Sequence, residues 1–183
     1  MPNILELDIA LKHIVPKISR RVLVDSSRTL EHLHEVIQAA MGWYNCHLFQ
    51  FMPSGRNGSY YGIPHPDFGE DMLDARKAKI SKFLAAPTDK ILYEYDFGDS
   101  WEHLVTVKKV HDPEPGRKYP VCLSGKRNCP PEDCGGPWGY GALLEALADP
   151  KHPEHEDMMD WTGGDFDAEL FDLALVNARL AGL

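Results

Sequence analysis

Residues 91–110, ILYEYDFGDSWEHLVTVKKV, decide the fold. In the first arm Ile91, Tyr93, Tyr95 and Phe97 alternate with Leu92, Glu94 and Asp96. Trp101, His103, Val105 and Val107 carry the same parity into the second arm. Period two in aromatic and β-branched residues is the pattern of a strand pair. Gly98-Asp99 between the arms predicts a tight II′ turn, with the glycine supplying the positive φ of the first turn position.

Upstream, residues 4–11 (ILELDIAL) and 20–25 (RRVLVD) read as two more strands, paired as a hairpin across Pro16. Thr29 is expected to cap a helix whose stripe is Leu30, Leu33, Val36, Ile37, Ala40 and Met41, with Gly42 as the residue beyond its end. Residues 47–52 and 59–63 read as strand partners across the turn signal Gly55-Arg56-Asn57-Gly58. Residues 63–76 read as loop, and Ile80, Phe83 and Leu84 as one helical turn ended by Pro87. Residues 113–153 hold eight prolines, whose fixed φ angles imply a defined loop rather than a floppy linker. Pro137 opens a helix there, and Pro153 opens another that ends at Gly163-Gly164. Asp167 is expected to cap the last helix, with Phe166 and Phe171 as a hydrophobic staple.

Strands therefore cluster before residue 111 and helices after 136. That order predicts an α+β fold: an antiparallel or mixed sheet, β-β-α-β-β-β-β, packed with three C-terminal helices. A single domain is expected, strand-rich over 1–111, a proline-rich loop over 112–136 and helical over 137–183. The opening β-β-α-β order would suit a β-grasp-like core.

Charge narrows the function. The net charge is −9. Residues 1–128 are nearly balanced, whereas residues 129–183 carry twelve acids against Lys151 and Arg179. Such a segment repels polyanions, because phosphate binding needs clustered cations. Two basic clusters remain, Lys17, Arg20, Arg21 and Arg28, and Arg76, Lys77, Lys79 and Lys82. No apolar run reaches the roughly 18 residues of a membrane span, and no basic leader precedes an apolar core. A cytoplasmic protein without membrane contact is expected. Motifs of phosphate loops, dinucleotide folds, zinc proteases and serine hydrolases are absent from the sequence.

Three constellations could carry chemistry. Cys122, Cys129 and Cys134, spaced C-x6-C-x4-C in a turn-rich loop, offer three thiolates for zinc, with His103, His152 or His155 as a fourth donor. Buried reduced cysteines are the competing reading. Asp96, Glu102 and His103, with Glu94 and Asp99, gather around the hairpin and could hold Mg²⁺ or act as acid and base. An ordinary solvent face competes there. Asp67, Glu70, Asp71 and Asp74 lack the spacing of a calcium loop.

The strings LEHLHEVIQAAMGWYNCHLFQF, YEYDFGDSWEH and YPVCLSGKRNCPPEDCGGPWGY, with the acidic tail that follows, resemble the Ri-plasmid ORF-three-like family over nearly the whole chain. Its members are also labelled insertion-element passenger or TnpR-like proteins. The resemblance implies an α+β fold and, for some members, an association with mobile elements; it implies no chemistry. Positions that carry it include His34, Trp43, His47, Asp96, Gly98, Trp101, Glu102, His103, Cys129, Pro131, Glu132, Asp133, Gly135, Gly136, Trp138 and Tyr140. The chain departs from the pattern at Tyr44-Asn45-Cys46, which argues against Cys46 as a ligand.

The leading expectation is a binding or interaction module for a protein or small molecule. Its groove would form where the Gly98 hairpin meets the CPPEDCGGPWGY loop, lined by Tyr95, Trp101, Trp138 and Tyr140 with Glu102, Asp133 and His103 as polar anchors. Plain core packing is the competing reading for those aromatics. The alternatives are a metal-dependent hydrolase or nuclease on Asp96, Glu102 and His103, and a weak nucleic-acid-binding accessory protein.

Overall fold

Alternation along the strands dictates which side chains meet. Leu5, Leu7, Ile9 and Leu11 of strand β1 (Ile4–Leu11) are buried on one face, with Val22 and Val24 of β2 (Ser19–Asp25). Tyr93 and Tyr95 of β6 (Lys90–Tyr95) join them, as do Trp101, His103, Val105 and Val107 of β7 (Trp101–His111). The opposite face carries Glu6, Asp8, Arg21, Glu94, Glu102 and Thr106, where Arg21 pairs with Glu6 and Asp8. The structure is a computed structural model and describes residues 3–53, 58–65, 72–164 and 166–183.

The remaining strands are β3 (Phe49–Met52), β4 (Tyr61–Gly62), β5 (Leu73–Asp74) and β8 (Val121–Lys126). They complete an open eight-stranded sheet in the order β5-β4-β3-β6-β7-β1-β2-β8. Every neighbouring pair is antiparallel except β4 and β5. The expected α+β class holds. The hairpin pairs Tyr95 with Trp101 and Tyr93 with His103, in the expected parity.

Helix α1 (Leu30–Met41) packs on the buried face through its predicted stripe. The Thr29 hydroxyl accepts from the His32 N–H at 3.2 Å, and Gly42 takes a left-handed φ of 103° beside the Arg179 guanidinium. Helices α2 (Gly136–Ala148), α3 (His155–Thr162) and α4 (Leu173–Leu180) follow. Tyr140 and Leu143 of α2 and Val176 and Leu180 of α4 enter the same core.

Four expectations need correction. Residues 73 and 74, expected as loop, form strand β5, which adds parallel to β4 at the sheet edge. Residues 121–126 are a strand rather than loop, registered on β2 from Ser19 opposite Lys126 to Leu23 opposite Val121. The hairpin corner is not a two-residue II′ turn. Residues 96–100 form it, and the left-handed φ angles fall on Asp96 and Ser100 rather than Gly98. The Asp96 carboxylate replaces the missing turn geometry by accepting from the Gly98 N–H at 2.9 Å. The last helix starts at Leu173, capped by Asp172, which accepts from the Leu175 N–H at 2.9 Å. Asp167 instead accepts from the Glu169 N–H. Gly55, Arg56 and Asn57 of the turn signal, and Asp67, Glu70 and Asp71, lie outside the described residues.

Candidate functional site

The link from α1 into β3, residues 43–48, is fixed from beneath by buried polar groups. His34 on α1 has Nδ1 2.8 Å from the Tyr93 hydroxyl and Nε2 2.7 Å from the Asn45 amide oxygen. With Nε2–H donating to Asn45, Nδ1 accepts from the phenol. Gln38 donates to the same phenol oxygen at 3.1 Å and accepts from the Asn45 N–H at 3.1 Å. The His34 ring stacks on Phe49, centroids 3.6 Å apart. Burial pulls its pKa down to about 4, so this imidazole is neutral at neutral pH.

Tyr95 ties that link to the proline-rich loop. Its hydroxyl accepts from the backbone N–H groups of Cys46 (3.0 Å) and His47 (3.3 Å) and donates to Glu132 Oε1 (3.1 Å). Burial pushes this phenol well above its ordinary range, which keeps it a donor. The Tyr44 N–H donates to the same Glu132 oxygen at 2.8 Å, and the Trp43 indole donates to the Pro130 carbonyl at 2.9 Å. The hairpin corner meets the loop as well. The Gly135 N–H donates to Asp99 Oδ2 at 3.1 Å. Gly136, at a left-handed φ of 68°, packs so tightly on the Asp99 carbonyl that a Cβ would overlap it.

These contacts deliver one imidazole to three carboxylates. His47 Nε2 lies 2.9 Å from Asp133 Oδ1, 3.7 Å from Asp96 Oδ2 and 3.9 Å from Glu132 Oε2. The Glu132 and Asp96 side chains are 10% and 11% exposed, whereas that of Asp133 is 68% exposed and opens the cluster to solvent. Asn45, Asp96 and Asp133 all hold left-handed φ angles of 56–58°. Non-glycine residues in that region concentrate at functional sites. Two overlapping donor triplets result, His47 with Asp96 and Asp133, and His47 with Cys46 and Glu132.

His47 also borders a pocket of about 310 Å³ between α1 and the start of β3. Leu48, Phe49, Ile63, Met72 and Phe97 give it apolar walls. Glu31, His34, Glu35 and Asn45 supply the polar part of the lining.

The sequence-expected residues are dispersed. Asp96 and Asp133 meet at His47. Glu102 and His103 are strand neighbours and point to opposite faces, so Asp96, Glu102 and His103 do not gather into one centre. His103 is fully buried in the core, its Nδ1 3.0 Å from the Trp101 carbonyl, and burial lowers its pKa to about 3. Glu102 instead pairs with Lys12 and His13. Trp101 and Tyr140 are 0% and 1% exposed, so they are core and do not wall a groove. Tyr95 is buried too, while Trp138 stands 92% exposed. Cys122 lies in β8, bracketed by Asn177, and Cys129 is buried in the loop. Among the described residues, no cluster of metal-ligating atoms within 4.8 Å of one another includes Cys122, Cys129 or Cys134. Burial raises all three thiols, that of Cys134 to about 12.

Sequence reasoning passed over His47 and Glu132 as site residues. Both belong to the strings that carry the family resemblance, and the adjacent Cys46-His47 pair suggests a nucleophile without an orienting group; 85 residues separate His47 from Glu132 along the chain.

Among the described residues, no helix is long and apolar enough to cross a membrane. The chain is 38% identical over 186 residues to the uncharacterized protein y4hQ of Sinorhizobium fredii, an alignment covering 99% of this chain and 92% of that one. The crystal structure of MM3350, a protein of unknown function from Methanosarcina mazei Go1, superposes with a TM-score of 0.85 at 38% identity. That match covers 95% of this chain and 97% of the other. The model of the plasmid pRiA4b ORF-3-like proteins matches residues 3–175, and the chain belongs to that family.

Proposed function

We propose that this protein is a binding module for a small organic molecule, held in the pocket beside His47. The observation that carries the reading is the pocket itself. It joins five apolar side chains to a few convergent polar groups, the composition typical of small-molecule sites. Glu31 and Glu35 in its lining favour a compact molecule with an apolar body and a basic or hydrogen-bond-donating end.

The competing readings have less support. The hydrolase reading keeps Asp96 but loses Glu102 and His103, which face away from each other. The nucleic-acid reading needs free clustered cations. Arg20 is buried and donates to the Ala40 carbonyl at 2.9 Å, Lys17 pairs with Asp8, and Arg76 and Lys77 pair with Asp74.

A panel of aromatic amines, with benzylamine and tryptamine as first probes, tests the reading against matched aromatic carboxylates by amide chemical-shift mapping. Amine-induced shifts should centre on Asn45, Leu48, Ile63 and Phe97 and vanish in Ile63→Trp, which fills the pocket. An absence of shifts across the panel, or shifts retained in a folded Ile63→Trp, would overturn it.

A further inference from the structure

We propose that His47 Nε2, Asp96 Oδ2 and Asp133 Oδ1 bind one divalent transition-metal ion, with Glu132 Oε2 poised beside it to accept from a metal-bound water. The inference stands on atoms behind the pocket and does not require an organic ligand.

Ligand spacing is the first argument. Donors about 2.1 Å from a common ion stand roughly 3 Å apart when adjacent and about 4.2 Å apart when opposite. The distances from His47 Nε2 to the three carboxylate oxygens, 2.9, 3.7 and 3.9 Å, fall in or at the edge of that span.

The second argument is the way two of the carboxylates are held. Asp96 gives Oδ1 to the Gly98 N–H, and Glu132 gives Oε1 to the Tyr44 N–H and the Tyr95 hydroxyl. Each thereby turns its other oxygen toward His47. Among the described residues, Glu132 Oε2 is buried without a hydrogen-bond partner, and His47 Nε2 likewise has none of proper geometry. A buried carboxylate oxygen left unsatisfied is costly. An imidazolium paired with Asp133 would account for one short contact. It would leave the buried Glu132 Oε2, 3.9 Å from the ring nitrogen, without a hydrogen-bond donor among the described residues.

Donor chemistry selects the ion. Imidazole with carboxylates suits Mn²⁺, Fe²⁺, Co²⁺ or Zn²⁺ better than Ca²⁺ or Mg²⁺, which take oxygen ligands. The exposed Asp133 provides an entry path.

Mn²⁺ is the probe of choice, because thiols compete poorly for it. Tag-free protein stripped with chelator is titrated calorimetrically. One Mn²⁺ per chain is expected, with affinity reduced at least tenfold in Asp96→Asn and in Asp133→Asn. Asparagine tolerates the left-handed backbone at both positions, so the variants should keep the fold. Glu145→Gln, exposed on α2, and Cys46→Ser should bind as the parent does. No binding of Mn²⁺, Co²⁺ or Zn²⁺ would overturn the proposal, as would unchanged affinity in both aspartate variants. Loss of binding in Cys46→Ser with retention in Asp133→Asn would also overturn it. Amine binding at the pocket can fail while Mn²⁺ binding survives, so the two readings fall separately.

Discussion

Replacing Tyr95 with Phe removes one oxygen and leaves the ring packed. Tyr95 is fully buried and stacks on Trp43 with centroids 5.1 Å apart, so the variant opens almost no cavity. What it loses is a long contact to Cys46 Sγ at 3.8 Å and three stronger ones: the N–H groups of Cys46 and His47 lose an acceptor, and Glu132 Oε1 loses a donor. Two neutral hydrogen bonds at about 0.5–1.5 kcal/mol each and one to a carboxylate at about 1.5–3 kcal/mol set a ceiling of about 6 kcal/mol. The real cost lies lower. Cys46 is exposed, so water reaches its N–H, and Glu132 Oε1 keeps the Tyr44 N–H. A loss of about 2–3 kcal/mol is expected, read as a shift in urea midpoint at constant m-value. Tyr119→Phe is the control, since among the described residues that hydroxyl accepts only from the exposed Glu114 N–H, and its loss should cost less than about 0.5 kcal/mol. A Tyr95→Phe cost equally small would refute the idea that this phenol joins the 43–48 link to the loop.

Three further outcomes follow from the geometry. Gly136→Ala forces a Cβ onto the Asp99 carbonyl at a left-handed φ and should cost more than about 2 kcal/mol. Gly141→Ala, inside α2 with open space around it, should instead stabilise by roughly 0.5–1 kcal/mol in the same urea titration. Trp138→Ala should leave the unfolding midpoint nearly unchanged, whereas Trp101→Ala, truncating a fully buried core residue, should cost about 3–5 kcal/mol. Acid should destabilise the fold through His34 and His103. Unfolded, each takes a proton near 6.5; folded, burial delays this to about 4 and about 3. The unfolded state binds more protons in between, so stability is full above 6.5 and falls as pH drops toward those values. Urea titrations across that window should show a shallower fall in His34→Gln.

The legible parts of the fold were those where local pattern and tertiary role agree. Period-two alternation over residues 91–107 placed both arms of the hairpin in register, and capping chemistry at Thr29 and Gly42 bounded α1. Strand β8 was hidden because VCLSGK scarcely alternates and follows Pro120. Its Gly125 leaves room for the Phe171 ring, a contact set by a residue far downstream. The last helix was misplaced because Asp167 and Asp172 are both good caps, and only packing decides that Asp172 serves. The alternation itself held a warning about the chemistry. Residues 102 and 103 of one strand cannot share a face, so Glu102 and His103 were never able to act together. Asp96 and Asp133 were legible as candidates; His47 and Glu132 were not, because the convergence runs through the Tyr95 hydroxyl and the closeness of Asp99 to Gly135 and Gly136. Those are tertiary contacts with no local pattern.

The most direct measurement is a crystal structure of Mn²⁺-loaded protein, read by anomalous scattering at the manganese edge. A single strong peak is expected within about 2.5 Å of His47 Nε2, Asp96 Oδ2 and Asp133 Oδ1, with a water between it and Glu132. A map without a peak at His47, or with its only peak among Cys122, Cys129 and Cys134, would contradict the account.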